Sequence, residues 1–184
     1  MSTRVKLAVA VFGAWGAFGN LSGQMPPMPN PAQAAAIKKF DWWVGEWKGS
    51  GWTEMGPGPR HEFTIQETIA PKLGGVVLLI EGIGKSKGPD GKEVTSHHAL
   101  AVLSYEEKAK QYRMRSHLAN GRSGDFELKV LDRGFQWGMQ IPQQGEIRYT
   151  MKLTEKGEWF EIGERSPDGK IWRKFHEMTL GRVQ

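Results

Sequence analysis

Hydrophobic and polar residues alternate along the chain from Gly45 almost to its end, with the two-residue period of β-strands. The segment RHEFTIQETIA places Phe63, Ile65, Glu67 and Ile69 on one face, and VVLLIEGIG follows as a continuous apolar run. Seven further strand-like segments extend from TSHHALAVLSYE to KIWRKFHEMTL, separated by short turns such as GPDG, DRG and SPDGK. Together with GEWKGSGW at the start, the pattern predicts about ten strands.

The predicted strands follow one another without an intervening helix, and their connections are short enough for hairpins. Such a run closes most readily as an up-and-down barrel, because closure leaves no exposed strand edge. We therefore predict an all-β fold, an antiparallel up-and-down β-barrel of about ten strands with a short N-terminal helix. A β-sandwich is the alternative, since strand count alone cannot distinguish two packed sheets from one closed sheet.

The short helix is predicted from NPAQAAAIKKF, which lies between a Pro-rich stretch and the first strand. Asn30 suits the N-cap, Pro31 suits the first turn, and residues 32–40 favour helix. We expect this helix to close one end of the barrel.

The N-terminal segment has the pattern of an export signal. Arg4 and Lys6 precede the apolar run LAVAVFGAWGAF, which is short for a bilayer span. We assign residues 1–23 as a signal peptide with an uncertain cleavage site. Residues 24–36 form a Pro/Ala-rich tether with the helix start, and residues 37–184 form a single barrel domain. A retained membrane anchor is the alternative.

Charge and cysteine content narrow the functional class. The chain has 184 residues, 25 Lys and Arg against 20 Asp and Glu, and no cysteine. The bases are scattered among the acids, which predicts a mildly basic, solvated surface and no nucleic-acid partner. Without cysteine there is no disulfide, thiol nucleophile, thiolate metal site or lipid-modified cysteine. We expect a periplasmic or secreted protein that does not stay inserted in the membrane once its signal is removed.

The sequence GEWKGSG resembles the Gly-x-Trp start of the first strand in lipocalin-like and other calycin barrels. We assign structural roles to Gly45, which lets the helix turn sharply into the strand, and to Trp47, which fills the closed end. Arg182, near the end of the last strand, is expected to stack on Trp47 as the barrel closes. Gly49 and Gly51 allow a strongly coiled first strand.

The segment HHALAVLSYEEKAKQYRMRSHLANGRSGDFEL resembles the secreted bacterial family known as domain of unknown function 1579. That family has a Gly-Tyr-Asp turn, a lysine-rich link, a tyrosine, and a glycine that opens the next strand. The matching residues here are Ser104, Tyr105, Glu106, Lys108, Lys110, Tyr112 and Gly124. The resemblance spans roughly residues 40–182, and it implies a calycin-like barrel without an established activity.

The ending FHEMTLGR loosely resembles the last strand of the haem-binding nitrobindin barrels, in which a histidine ligates the iron. The resemblance implies His176 as an axial ligand, with Glu177 standing where that family has an apolar residue. Strand parity places His176 on the more apolar face, with Trp172, Lys174, Met178 and Leu180. If that face lines the lumen, His176 enters the cavity; an ordinary barrel histidine is the alternative.

Other polar residues are candidates for the interior. His97 and His98 are adjacent, so they point to opposite faces and cannot chelate one ion together, although either could contribute a polar group to a cavity. A carboxylate in the lumen could act as a general base, with an exposed strand position as the alternative. The candidates for that carboxylate are Glu67, Glu81, Glu161 and Glu164.

The strand YRMRSHL shows a clear alternation. Tyr112, Met114 and Ser116 share one face, and Arg113 and Arg115 share the other. We expect the methionine face inward and the arginines in water, paired with acids on neighbouring strands. The alternative places the arginines in the lumen, where they would recognise a carboxylate or phosphate.

These observations favour a binding protein over an enzyme, because no motif of a nucleophile with its base or of a phosphate loop occurs. We predict that the barrel binds a small apolar or amphiphilic molecule, with no catalytic residues. The alternatives are a haem protein using His176, an enzyme using a lumen carboxylate or histidine, and a filled barrel that serves as an interaction module. The candidate ligand-lining residues are Trp137, Met139, Tyr149, Met151, Trp159, Trp172 and Met178.

Overall fold

The computed structural model describes residues 28–54, residue 56 and residues 58–183, and the predicted signal peptide, residues 1–23, lies outside this part of the chain. Within it, an α-helix, α1 (Pro31–Ile37), and a 3₁₀-helix (Lys38–Trp43) precede ten strands. No helix in this described part is long and apolar enough to cross a bilayer. The strands are β1 (Gly45–Thr53), β2 (His61–Lys72), β3 (Val77–Lys87), β4 (Glu93–Glu106), β5 (Gln111–Leu118), β6 (Ser123–Leu131), β7 (Gly134–Ile141), β8 (Gly145–Leu153), β9 (Trp159–Ser166) and β10 (Arg173–Arg182).

The ten strands form one closed antiparallel sheet. Each strand pairs with the next in the sequence, and β1 pairs with β10 to complete the barrel. At this closure Gly49 lies opposite Leu180, and Thr53 lies opposite His176. Closure pairs the strand edges that an open sheet would expose. The prediction of an up-and-down barrel of about ten strands with a short N-terminal helix is confirmed, and the sandwich alternative was wrong.

The helix begins at the predicted residues. The side-chain oxygen of Asn30 accepts hydrogen bonds from the backbone N–H groups of Ala32 and Gln33, at 2.9 and 3.1 Å, and Pro31 occupies the first turn. On β5, the hydroxyl of Tyr112 donates to the carbonyl oxygen of Ala36 at 3.2 Å. This contact holds α1 against one end of the barrel, which we call the closed end.

Aromatic side chains pack the closed end. Trp43, from the 3₁₀-helix, contacts Phe135 and Trp159 with ring-centroid distances of 4.8 and 5.1 Å. Trp47 is fully buried, meets Trp159 edge to face, and donates its indole N–H to the carbonyl oxygen of Trp43 at 2.9 Å. Burial of so much aromatic surface stabilises this end of the fold.

The beginning and end of the barrel sequence meet at the same place. Gly45, where the 3₁₀-helix gives way to β1, has a φ of 131°, a conformation that favours glycine. The guanidinium of Arg182 lies 4.2 Å from the ring of Trp47 and donates to the carbonyl oxygens of Val44 and Trp42. The last strand is thereby attached to the segment that leads into the first.

Glycines allow β1 and β10 to approach each other. A Cβ at Gly49 would lie 2.8 Å from the Cα of Leu180, and a Cβ at Gly51 would lie 2.7 Å from the Cβ of Met178. Both distances are too short for real carbon atoms. Glycine at these two positions therefore permits the closing register of the barrel.

A β-bulge interrupts the alternation of β10. The register between β9 and β10 shifts between Lys174 and His176, so the residues before the bulge do not keep the parity of those after it. His176 faces the lumen, whereas Lys174 faces outward. Trp172 lies on the outer surface, where the guanidinium of Arg148 stacks on its ring at 3.8 Å. The expectation that Trp172 lines the lumen was wrong because it extended regular alternation across a bulge.

Candidate functional site

The barrel interior has a packed half and an open half. Near the closed end the inward-facing side chains are buried, and Leu103, Met151 and Leu180 have no accessible surface. Toward the opposite end, the inward-facing side chains are partly accessible, so they border a space that solvent reaches. We call this space the open lumen. Cross-strand pairing places the following residues on its surface: Phe63, His97, Ala99, Ser116, Phe126, Trp137, Met139, Tyr149 and His176.

Five of these side chains form a continuous stack that we call the aromatic wall: Phe63, Phe126, Trp137, Tyr149 and His176. The ring of Trp137 lies 4.6 Å from Phe126 and is stacked on Tyr149 at 4.5 Å with an interplanar angle of 16°. Tyr149 meets His176 edge to face at 5.7 Å, and His176 is stacked on Phe63 at 5.5 Å. Each ring restrains its neighbours, so the wall is a preorganised, mainly apolar surface.

His176 belongs to the aromatic wall and faces the lumen. Burial, with a smaller effect from nearby His97, lowers the pKa of His176 to about 4. The imidazole is therefore neutral at neutral pH. A neutral imidazole retains a nitrogen lone pair, so this side chain has the protonation state of a metal ligand.

The two adjacent histidines of β4 face opposite sides of the barrel, as their spacing predicts. His97 faces the lumen, and burial lowers its pKa, with the neighbouring His98 acting in the same direction. His98 faces outward and lies 2.9 Å from a carboxylate oxygen of Glu81. Only His97 of this pair can contact a molecule in the open lumen.

Two of the four candidate carboxylates converge on the interior. Glu67 of β2 and Glu161 of β9 have only 7% and 9% of their surface exposed. Burial raises the pKa of Glu67 to about 8, with a further contribution from Glu161, and burial raises the pKa of Glu161 to about 7. Glu81 and Glu164 face outward instead, beside His98 and Arg148.

The arginines of β5 lie outside the barrel, in agreement with the predicted alternation. Arg113 and Arg115 both donate to Asp125 on β6, at 3.1 Å in each case. These hydrogen bonds lower the pKa of the Asp125 carboxyl. The alternative in which these arginines recognise an anion in the lumen was wrong.

The predicted ligand-lining residues separate into three environments. Trp137, Met139 and Tyr149 line the open lumen. Met151, Trp159 and Met178 also face inward, but they are buried in the packed half or at its boundary. Trp172 is the outward residue described above.

Sequence reasoning missed two residues of the aromatic wall. Phe63 shares its face with Ile65 and Glu67, so the alternation of β2 already contained the signal. Phe126 alternates with outward residues of β6 in GDFELKVLD, but no sequence pattern showed that this strand contributes to the open half. Depth along the barrel depends on the pairing register, which distant residues set.

The outer surface carries two grooves. One, of about 450 Å³, crosses β7 and β8 beside Trp172 and Arg148. The other, of about 910 Å³, crosses β1, β2 and β3 beside Trp52 and Lys85. Both are lined largely by outward-facing polar side chains, although Trp137 and Met139 also border the first groove and Phe63 borders the second. Within the described chain, no group of three or more His, Cys, Asp or Glu side chains could hold a metal ion.

Comparison with solved structures places this fold among the calycin-like barrels. Rv2717c from M. tuberculosis superposes with a TM-score of 0.57 at 12% identity, covering 81% of this chain and 98% of that protein. The S-type phycobiliprotein lyase CPES from Guillardia theta superposes with a TM-score of 0.54 at 10% identity, covering 86% of this chain and 99% of that one. No family model and no curated protein matches the chain. The protein is thus a closed, ten-stranded calycin-like β-barrel.

Proposed function

We propose that this chain is an exported protein that binds a small, mainly apolar or amphiphilic molecule in its open lumen. The observation that carries the proposal is the aromatic wall, whose stacked rings are partly accessible and face the interior of the closed sheet. An apolar molecule that displaces water from these rings gains free energy in proportion to the surface it covers. Small-molecule sites have this combination of concavity, apolar lining and few polar groups.

Export is supported by the N-terminal pattern, in which Arg4 and Lys6 precede a short apolar run. Membership of the family known as domain of unknown function 1579 is part of the same proposal, supported by the spacing of Tyr105, Tyr112 and Gly124. One barrel of similar fold carries the name of a phycobiliprotein lyase. We do not extend that activity to this chain, because the likeness is one of fold.

The test is titration of the purified barrel domain with N-phenyl-1-naphthylamine, a neutral apolar dye that fluoresces when it leaves water. We expect saturable binding, weakened about tenfold by Tyr149→Ala, because a large contact surface of the lumen is lost at a residue that borders neither outer groove. Trp172→Ala is the matched control, since it removes a tryptophan from the outer surface, and it should leave the affinity unchanged. Absence of dye binding by the folded protein would contradict the proposal. An equal effect of the Trp172 substitution would place the dye in the outer groove.

A second candidate function is haem binding, favoured by the environment of His176. This neutral imidazole faces the lumen and is stacked on Phe63, so its orientation is restrained and its lone pair is available. These residues fit the needs of an axial ligand beside an apolar pocket. Haem bound there would supply an iron for small-molecule ligation, and the aromatic wall would exclude water from its face.

The haem candidate is tested by the visible spectrum of the protein with and without added haem. A stoichiometric Soret band that is lost in His176→Ala and kept in His98→Ala would establish it, because His98 faces outward on β4. If no Soret band appears, or if the band survives both substitutions, His176 does not ligate haem. It is then only a member of the aromatic wall that lines the general binding site.

A further inference from the structure

Two buried carboxyl groups lie below the aromatic wall, where the open lumen meets the packed half. Glu67 extends from β2 across Gly82 of β3, and a methyl group at Gly82 would lie 2.5 Å from its oxygen. Glu161 extends from β9 and accepts a hydrogen bond from the indole N–H of Trp159 at 3.1 Å. The missing side chain at Gly82 leaves the space that the carboxyl of Glu67 occupies.

Glu67 has no protein partner that would explain its burial. In the described chain, neither carboxyl forms an ion pair with a basic side chain, and Glu67 has no hydrogen-bond partner. Arg182, toward the closed end, is bound to backbone carbonyl oxygens and to Trp47. The oxygens of Glu67 are not fully enclosed, since Trp43 Nε1 is the one enclosed side-chain N or O atom without a hydrogen bond in the described chain. A carboxyl that is largely removed from water and has no partner is nevertheless held at a cost in free energy. An unpartnered carboxyl at the base of an accessible lumen indicates a ligand group that pairs with it.

The groups that surround the pair contribute no compensating charge. Beside Glu67 stand Trp47 on β1 and Gly82 on β3, and beside Glu161 stand Met151 on β8 and Met178 on β10. The titratable groups that face the pair are the two carboxyls themselves and the phenol of Tyr149, whose pKa is raised by burial and by Glu161. The imidazoles of His97 and His176 are neutral and lie on the lumen surface above.

We propose that the two carboxyl groups of Glu67 and Glu161 bind the ammonium group of a ligand whose apolar body lies against the aromatic wall. The ligand class is therefore an aryl or alkyl primary amine. An ammonium donates up to three hydrogen bonds and brings the positive charge that this site lacks. A divalent metal ion fits less well, because two carboxylates supply too few ligands and no third metal-binding side chain joins them. This inference rests on the proposed function, since it names the ligand class of the same site.

Binding of the ammonium requires ionised carboxylates, so it changes the proton content of the site. At neutral pH the buried pair holds protons that ordinary glutamates would have lost. Each carboxyl that ionises to receive the ammonium releases its proton to the buffer. Affinity for the amine is therefore expected to rise between pH 6 and about 8, and to fall once the amine itself loses its proton.

The experiment is calorimetric titration of the barrel domain with three probes that share one ring system: 1-naphthylmethylamine, 1-naphthalenemethanol and 1-naphthoate. We expect the amine to bind at least about tenfold more tightly than the alcohol, and the naphthoate to bind most weakly because its charge is repelled. The titrations are repeated in buffers of different ionisation enthalpy. Of the three probes, only the amine should release protons when it binds. Glu67→Gln keeps the shape of the side chain, and it should remove the preference for the amine while leaving the affinity for the alcohol.

Glu62→Gln is the matched control, because Glu62 is an exposed carboxylate on the same strand and faces outward. It should leave all three affinities unchanged. The ammonium proposal is overturned if the alcohol binds as tightly as the amine, or if Glu67→Gln, with its fold verified by circular dichroism, keeps the amine preference. Failure of all three probes to bind overturns the proposed binding function as well, so the two failures are distinguishable.

Discussion

Replacing Glu67 with glutamine should flatten the dependence of stability on pH. An ordinary glutamate has a pKa of 4.5, whereas burial beside Glu161 raises the pKa of Glu67 in the folded protein to about 8. The folded state therefore binds more protons than the unfolded state between these values, and the free energy of unfolding must fall as pH rises. The contribution of the protonated carboxyl is fully present below pH 4.5 and is lost as pH approaches 8.

The decrease in the free energy of unfolding caused by Glu67 is best measured above the pH range in which the histidines titrate. His97 and His176 have lowered pKa values, so their effect has the opposite sign and ends near the ordinary histidine value of 6.5. Above that value, each pH unit lowers the free energy of unfolding by about 1.4 kcal/mol for a group that is ionised only in the unfolded state. From pH 6.5 to about 8.5, Glu67 should lower the free energy of unfolding by about 2 kcal/mol. Glu161, with a pKa of about 7, adds a smaller decrease of the same sign.

The assay is urea unfolding followed by tryptophan fluorescence at several pH values across this interval. Relative to the difference between the two proteins at pH 6.5, Glu67→Gln should gain about 2 kcal/mol over the wild type by about pH 8.5, because glutamine cannot ionise. Glu62→Gln, an exposed control on β2, should keep the wild-type profile. Parallel curves for wild type and Glu67→Gln would refute the reasoning, since they would mean that Glu67 ionises in the folded barrel as freely as in the unfolded chain.

Three substitutions test the packing that holds the lumen in shape, each by urea unfolding at neutral pH. Gly49→Ala should destabilise the barrel by at least about 2 kcal/mol, because its Cβ would overlap a carbonyl oxygen of β10, whereas Gly56→Ala, with open space around it, should change stability little. Trp47→Ala should cost about 3 to 5 kcal/mol, since a fully buried indole is replaced by a cavity; a loss under 1 kcal/mol would contradict its place at the closed end. Tyr112→Phe should cost about 1 kcal/mol by leaving the carbonyl oxygen of Ala36 without its donor, and faster amide exchange in α1 would trace that loss to the helix.

Local features of the fold could be predicted from the sequence because their causes are local. The start of α1 at Asn30 depends on a side chain that caps its own helix. The alternation of Tyr112 and Met114 with Arg113 and Arg115 shows which side of β5 is apolar, and short turns between strands predict hairpins. These signals depend on residues a few positions apart, so one sequence contains them.

The candidate site could be predicted only in part, since the lumen is assembled from distant strands. The sequence by itself indicated aromatic residues such as Trp137 and Tyr149 as lining, and it named Glu67 and Glu161 among four alternatives. It did not indicate that those two carboxyls influence each other, because only β1 and β10 separate β2 from β9 once the barrel closes. The bulge before His176 likewise reverses the alternation, so that residues before it, including Trp172, do not share the face of His176.

Sequence alone thus determined the order of the strands, their hairpin connections and the short helix that precedes them, through spacing and turn chemistry. Tertiary structure alone decided which inward residues stay accessible and which are buried. The closing register of the barrel sets the depth of every side chain along its axis, and that register depends on close contact between Gly49 and Gly51 on β1 and the backbone of β10. Burial, and with it the raised pKa values of the glutamate pair, follows from that depth.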